Sequence, residues 1–275
     1  MNERNNVTAG QFFLNLLKAA LYLLLFIGSQ ILVTMVITVA VTVFAMVNGG
    51  AADEAALMEQ VMAYTNEITL ISNGIALLVV VIFFLIRRKN LFIEVGLTKT
   101  RPAMIGAAAF AAPLLYTVII LIMNRLPEVW MESYVEASSA LMGTTGVLPF
   151  LATVIAAPVA EEVILRGLAL SRLGRVMPGW LAVVVVSLLF GLCHGQLVWM
   201  VYAFVLGMFF GWLTLCARSI WPSLAAHMVF NAIGYSASYW SEGAIPIILA
   251  VLAVVSAVGL TVFHRGVGAL FRRAT

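Results

Sequence analysis

The chain has 275 residues, 63% of them hydrophobic and only 10% charged, with a mean hydropathy of +1.09. A soluble domain needs a surface that water can wet, so this composition excludes one and predicts an all-α, polytopic membrane protein. The net charge of +3 is no argument for a nucleic-acid partner; its distribution along the chain carries the information instead.

Taken in chain order, apolar runs long enough to span appear at about 19–47, 68–86, 103–123, 146–171, 180–194, 197–215, 223–240 and 244–263. The first is long enough to tilt, or to kink at Gly28-Ser29-Gln30, and too long for the apolar core of a signal peptide. Residues 1–145 thus hold about three spans and residues 146–275 the rest. The segment 48–67 reads as a polar loop with a short helix through Ala55–Tyr64. The connector 87–101, "RRKNLFIEVGLTKTR", reads either as a charged link or as an interfacial stretch with Leu91, Phe92, Val95 and Leu97 toward lipid, and carries no evident chemistry. Cys193 and Cys216 lack zinc or disulfide spacing and read as free thiols.

Charge orients the spans. Arg4, Lys18, Arg87, Arg88, Lys89, Lys99, Arg101, Arg172, Arg175, Arg218, Arg265, Arg272 and Arg273 fall in one set of inter-span segments, which is 13 of the 15 basic residues. The opposite segments hold Arg125 together with Asp53, Glu54, Glu59, Glu67, Glu128, Glu132, Glu136 and Glu242. The positive-inside rule therefore predicts about eight transmembrane helices with both termini cytoplasmic.

The remaining basic residue, Arg166, lies within a span in "EEVILR", residues 161–166. Ionisable residues there are costly, about 2.5–3.5 kcal/mol each at mid-membrane, and are functional candidates for that reason. On a helix Glu162 and Arg166 pair along one face, while Glu161 points about 100° away without that partner. Pro158, a turn earlier, cannot donate to the Val154 carbonyl and disrupts the helix there. Two further motifs, "FGLCH" (190–194) and "HMVFN" (227–231), set Phe190 one turn from His194 and His227 one turn from Asn231. His264 reads as an interfacial residue with no role.

Depth favours convergence except at one point. Counting ~1.5 Å per residue, His227 lies ~8 Å, Glu161 ~16 Å and His194 ~22 Å from the basic side, so His194 must be brought back toward the others. Ala203, Gly207 and Gly211 form a small-residue stripe that lets their helix approach a neighbour closely. A carboxylate and a histidine can hold a water and take its proton during attack on a carbonyl, while a second histidine and an Asn donate to the oxyanion. The same Glu and two His can instead hold Zn²⁺, but no HExxH pair is present. A proton-coupled transporter also places Glu and His in spans; against it, the chemistry is confined to the C-terminal half, without a matching broken-helix pair in the N-terminal half. A non-catalytic membrane scaffold would not need four polar residues intact.

"EEVILR", "FGLCH" and "HMVFN" resemble the EExxxR, FxxxH and HxxxN motifs of the CAAX protease and bacteriocin-processing (CPBP, or Abi) family of intramembrane proteases. "VLGMFFGWL" and "SIWPSLAAH" resemble its connecting helix and tryptophan segment, "EVGLTK" is a weaker echo upstream, and the likeness covers about residues 146–235. The resemblance implies an endopeptidase in which Glu161 and His194 activate water and His227 and Asn231 stabilise the oxyanion. Glu162 and Arg166 would support the site, with Phe190 packed behind it. It also implies a peptide or membrane-anchored protein substrate, either CAAX-type or a bacterial peptide, with a link to bacteriocin immunity in some members. The family was first described as metalloproteases. The reading favoured from the residues needs no cofactor; the zinc-dependent alternative would use Glu161, His194 and His227 as ligands. Short loops and the charge pattern suit a multi-pass protein of a prokaryotic plasma membrane.

Overall fold

The computed structural model describes residues 7–48, 53–142 and 146–274; Arg4 and the stretch 49–52 lie outside the described residues. Helices α1 (Ala9–Val47), α2 (Glu54–Met62), α3 (Thr65–Ile86), α4 (Leu91–Glu94), α5 (Pro102–Met123) and α6 (Glu128–Met142) make up the first part. The second comprises α7 (Val147–Leu173), α8 (Gly179–Leu192), α9 (Leu197–Ala217), α10 (Trp221–Ala237), α11 (Glu242–Val262) and α12 (His264–Ala274). No strand occurs among the described residues. The protein is an all-α, multi-pass membrane protein. Among the described residues six helices (α1, α3, α5, α7, α9 and α11) are long and apolar enough to cross a membrane. The other two expected spans are shorter helices, α8 of 14 residues and α10 of 17.

Local chemistry explains the boundaries. A capping box between Thr8 and Gln11 starts α1, ten residues before its apolar run. The helix then continues for 39 residues, about 58 Å at 1.5 Å each and close to twice the hydrocarbon thickness. Gly28-Ser29-Gln30 does not interrupt it, and the Ser29 hydroxyl bonds to the Phe26 carbonyl at 2.8 Å within the same helix. The loop helix expected near 55–64 is α2, N-capped by Asp53. Two elements were not anticipated: α6, and the amphipathic α12, whose Ala269 and Leu270 are buried.

Helix α7 is not a regular α-helix. Leu151–Ala156 and Glu162–Leu170 have the wider π winding, with a short α segment, Ala157–Glu161, between them. In that winding a backbone N–H reaches five residues back, as Ala157 does to Ala152. The donor missing at Pro158 is therefore missed by the Thr153 carbonyl rather than by that of Val154. This displaces the sequence expectation by one residue.

The connector 87–101 corrects the sequence reading. Val95 is buried, and Leu91 and Leu97 pack beside it against the α1–α3–α7 core instead of facing lipid; of its apolar side chains Phe92 and Ile93 are exposed. Its backbone is stitched to the turn before α10, since Ile220 N donates to Gly96 O (3.0 Å), Ser219 Oγ to Thr98 O (2.8 Å) and Thr98 Oγ1 to Arg218 O (2.7 Å). Glu94 pairs with Arg172 of α7 at 2.9 Å and with Lys89 at 3.0 Å. Periodicity gave no hint of this because the fixing partners lie about 70 to 120 residues away and act largely through the backbone.

Close helix approach needs the small residues. A Cβ at Gly207 would come within 2.9 Å of Ser187, and one at Gly211 within 2.7 Å of Val183, so the stripe on α9 seats α8 as expected. At Gly167 a Cβ would overlap the Val95 carbonyl, a backbone atom that cannot swing aside. Gly167→Ala should therefore lower the melting temperature and the yield of purified protein, at a cost of about 1–3 kcal/mol. Gly74→Ala, where a Cβ meets nothing within 4 Å, should leave melting unchanged or raise it through helix propensity.

Burial pushes the Glu94 carboxyl up, but Lys89 and Arg172 outweigh it and hold the group below its ordinary value of 4.5. A depressed folded value means that the stabilisation is present above that range and is lost as pH falls through it. Melting curves of wild type and Glu94→Gln should differ by about 1 kcal/mol at pH 7 and converge as pH falls through the depressed value of the folded carboxyl.

Candidate active site

Glu161 and Glu162 are consecutive and have different surroundings. Glu162 is fully buried, with Arg166 Nη1 at 3.0 Å from its Oε1 and His227 Nδ1 at 3.0 Å from the same oxygen. Arg166 is buried too, its guanidinium 4.5 Å above the Phe190 ring and 5.5 Å from that of Phe210, while Nη2 donates to the Gly207 carbonyl at 3.4 Å. Two aromatic faces thus share the cation with the carboxylate, an arrangement whose strength rises as water is excluded. Glu161 has no contact of that quality. It lines a cavity of about 770 Å³, and its Oε2 is 3.5 Å from His227 Nε2.

His227 therefore lies between the two carboxylates, one ring nitrogen toward each. Phe210 stacks on it at 4.6 Å, and Phe190 meets it edge-on at 5.9 Å. Phe210 was not singled out from sequence, because an aromatic within an apolar helix carries no distinguishing signal there.

His194 follows α8, in the turn closed by Gly195 at φ +73°, a conformation that glycine adopts without strain. The FGLCH spacing survives as a bond from His194 Nδ1 to the Phe190 carbonyl at 2.7 Å. A carbonyl only accepts, so Nδ1 carries the hydrogen and Nε2 keeps a free lone pair. Trp199 of α9 packs on the ring at 5.3 Å. His194 lines the same cavity as Glu161 and His227, so the three side chains converge.

Asn231, one turn after His227, donates through Nδ2 to the Thr153 carbonyl at 2.8 Å. That carbonyl is the one that Pro158 leaves without a partner in the π winding. One amide hydrogen is used there, leaving the other for the cavity that Asn231 also lines. Glu161, His194, His227 and Asn231 thus border one cavity, with Phe190 on its wall and Glu162 and Arg166 behind. Tyr116, Tyr134 and Tyr202 add hydroxyl-bearing walls that had no sequence signal.

Among the described residues no group of three or more His, Cys, Asp or Glu side chains is arranged to hold an ion. No step through zinc is derived from these residues.

A carboxylate and two imidazoles that border one cavity of a multi-pass helical protein form a set able to hold and activate a water. Residues 143–233 match the family model described as Rce1-like, type II CAAX prenyl endopeptidase Rce1-like, and that stretch contains all three motifs. The match is consistent with the CAAX protease and bacteriocin-processing family to which those motifs pointed. No curated protein and no solved structure matches the chain.

Removing the Glu162 charge leaves Arg166 buried and unpaired. Glu162→Gln should lower the apparent stability by about 3–5 kcal/mol in thermal-shift assays, and adding Arg166→Gln should restore part of it by removing the orphaned charge.

Proposed function

We propose that the protein hydrolyses a peptide bond within the membrane by a glutamate-dependent, metal-free mechanism. The observation that carries this reading is the division of labour within the Glu-Glu pair: Glu162 is enclosed by its ion pair, whereas Glu161 borders the cavity. A water held between Glu161 and the free Nε2 of His194 attacks the scissile carbonyl as Glu161 takes its proton. The carbonyl oxygen becomes an oxyanion, stabilised by the second amide hydrogen of Asn231 and by an Nε2 hydrogen of His227, which acts as an imidazolium while its Nδ1 donates to Glu162. As the C–N bond breaks, the proton held by Glu161 passes to the leaving nitrogen. One product ends in a new carboxyl group and the other in a new amine, with the carboxylate regenerated.

The supporting residues keep this geometry in place. Glu162 holds the His227 ring through Nδ1, Arg166 neutralises Glu162, and Phe190 packs against both imidazoles and the guanidinium. The substrate is a peptide or a membrane-anchored protein segment, of CAAX type or of the kind met in bacteriocin processing and immunity, and the setting is a prokaryotic plasma membrane.

Purified protein in detergent, incubated with a library of apolar peptides and read by mass spectrometry, tests this. Glu161→Gln should lower cleavage by at least about a hundredfold while melting nearly as wild type. Wild-type cleavage should survive a chelator. Retained turnover in Glu161→Gln would defeat the role given to that carboxylate. Activity lost to the chelator and restored by stoichiometric zinc would defeat the metal-free mechanism.

A further inference from the structure

The cavity is polarised along the helix bundle. On α3 its walls run from Ile68 to Asn73, the end remote from Arg87; on α5 they run from Tyr116 to Met123, the end remote from Arg101. On α9 they run from Trp199 to Leu206, remote from Arg218, and on α10 from His227 to Ser238, away from that same arginine. Tyr134 and Ser138 come from α6, which lies wholly between the outer ends of α5 and α7. Every one of these helices contributes from its middle toward the end that lacks basic loops. Ser139, Cys193 and Ser238 are wall residues that are also exposed, which puts the mouth at that end.

Toward the basic loops the site is closed. Below Glu161 come the buried Glu162–Arg166 pair and then Ile164, Leu168 and Ile220, each with no exposed surface, and the Val95 backbone pressed against Gly167. The connector bonded to the turn before α10 completes this floor. Arg87, Arg101, Arg172, Arg175 and Arg218 lie at the floor end of their helices, and the positive-inside rule assigns that end to the cytoplasm.

From these two observations we infer that the site is entered from the non-cytoplasmic side, and that its substrate is a peptide segment arriving from that side. The inference rests on the peptidase reading for the word substrate, but the direction of access does not. A lipidated tail of a cytoplasmic protein would meet the sealed floor. A secreted, incoming or membrane-inserted peptide displayed on the acidic side meets the mouth.

Cys193 is a native reporter, exposed on the cavity wall, whereas Cys216 is buried. The full chain, produced in bacterial cells, is treated with a membrane-impermeant maleimide in spheroplasts and in inverted membrane vesicles. Two reference positions, Lys99→Cys and Glu132→Cys, are labelled in a Cys193→Ser, Cys216→Ala background, and Ser238→Cys in that background serves as a second mouth probe. Cys193 and Ser238→Cys should label with Glu132→Cys in spheroplasts, at least tenfold more than in inverted vesicles, while Lys99→Cys shows the reverse. Labelling of the mouth positions alongside Lys99→Cys, labelling from neither side, or Glu132→Cys reacting from the cytoplasmic face would each overturn the inference. Labelling requires no turnover, so the direction of access can stand or fall separately from the detergent cleavage assay that tests the peptidase itself.

Discussion

One buried ion pair governs this site. Carrying Glu162 and Arg166 into a membrane protein's core is costly, and the cost is offset only where each charge is met from several directions. Here the carboxylate meets a guanidinium and an imidazole, and the guanidinium meets a carboxylate, a backbone carbonyl and two aromatic faces. Those contacts come from α7, α8, α9 and α10, so satisfying one pair of charges fixes four helices around a point. The histidine that meets the carboxylate, His227, also borders the cavity.

The same pair separates the two neighbouring acids. A helix turns about 100° per residue, so consecutive side chains cannot share one environment. Arg166 claims Glu162 and leaves Glu161 toward space. A charge partner and an open cavity are thereby given to adjacent positions without a further element. The connector ahead of α5 contributes from the other side, where Gly167 admits the Val95 backbone and closes the layer beneath the charges.

Much of this was legible in the sequence. Composition indicated the class, three short motifs pointed to the residues that border the cavity, and the glycine stripe on α9 anticipated its contact with α8. What escaped were features that depend on partners distant in the chain. Val95 reads as one more apolar residue of an interfacial segment until the backbone opposite it is known. Phe210 is one aromatic among many on an apolar helix, and its stacking on His227 is a property of the assembled bundle. Counting depth along each helix could not show that His194 meets Glu161 and His227, because that depends on how the helices are tilted and placed in the bundle.

Pro158 and Asn231 show how a defect in one helix becomes a joint between two. A proline that withholds its hydrogen leaves a carbonyl on Thr153, and the amide of Asn231 takes it across the gap. The two positions are therefore coupled physically. With alanine at 158, a backbone N–H would compete with the side-chain amide for the same oxygen, and helix α7 could relax to ordinary winding. Each later residue of α7 would then rotate relative to α10, turning Glu161 away from the ring it faces. Variation at a residue that touches no substrate is in this way constrained by a residue on another helix, and the constraint passes through a single backbone oxygen.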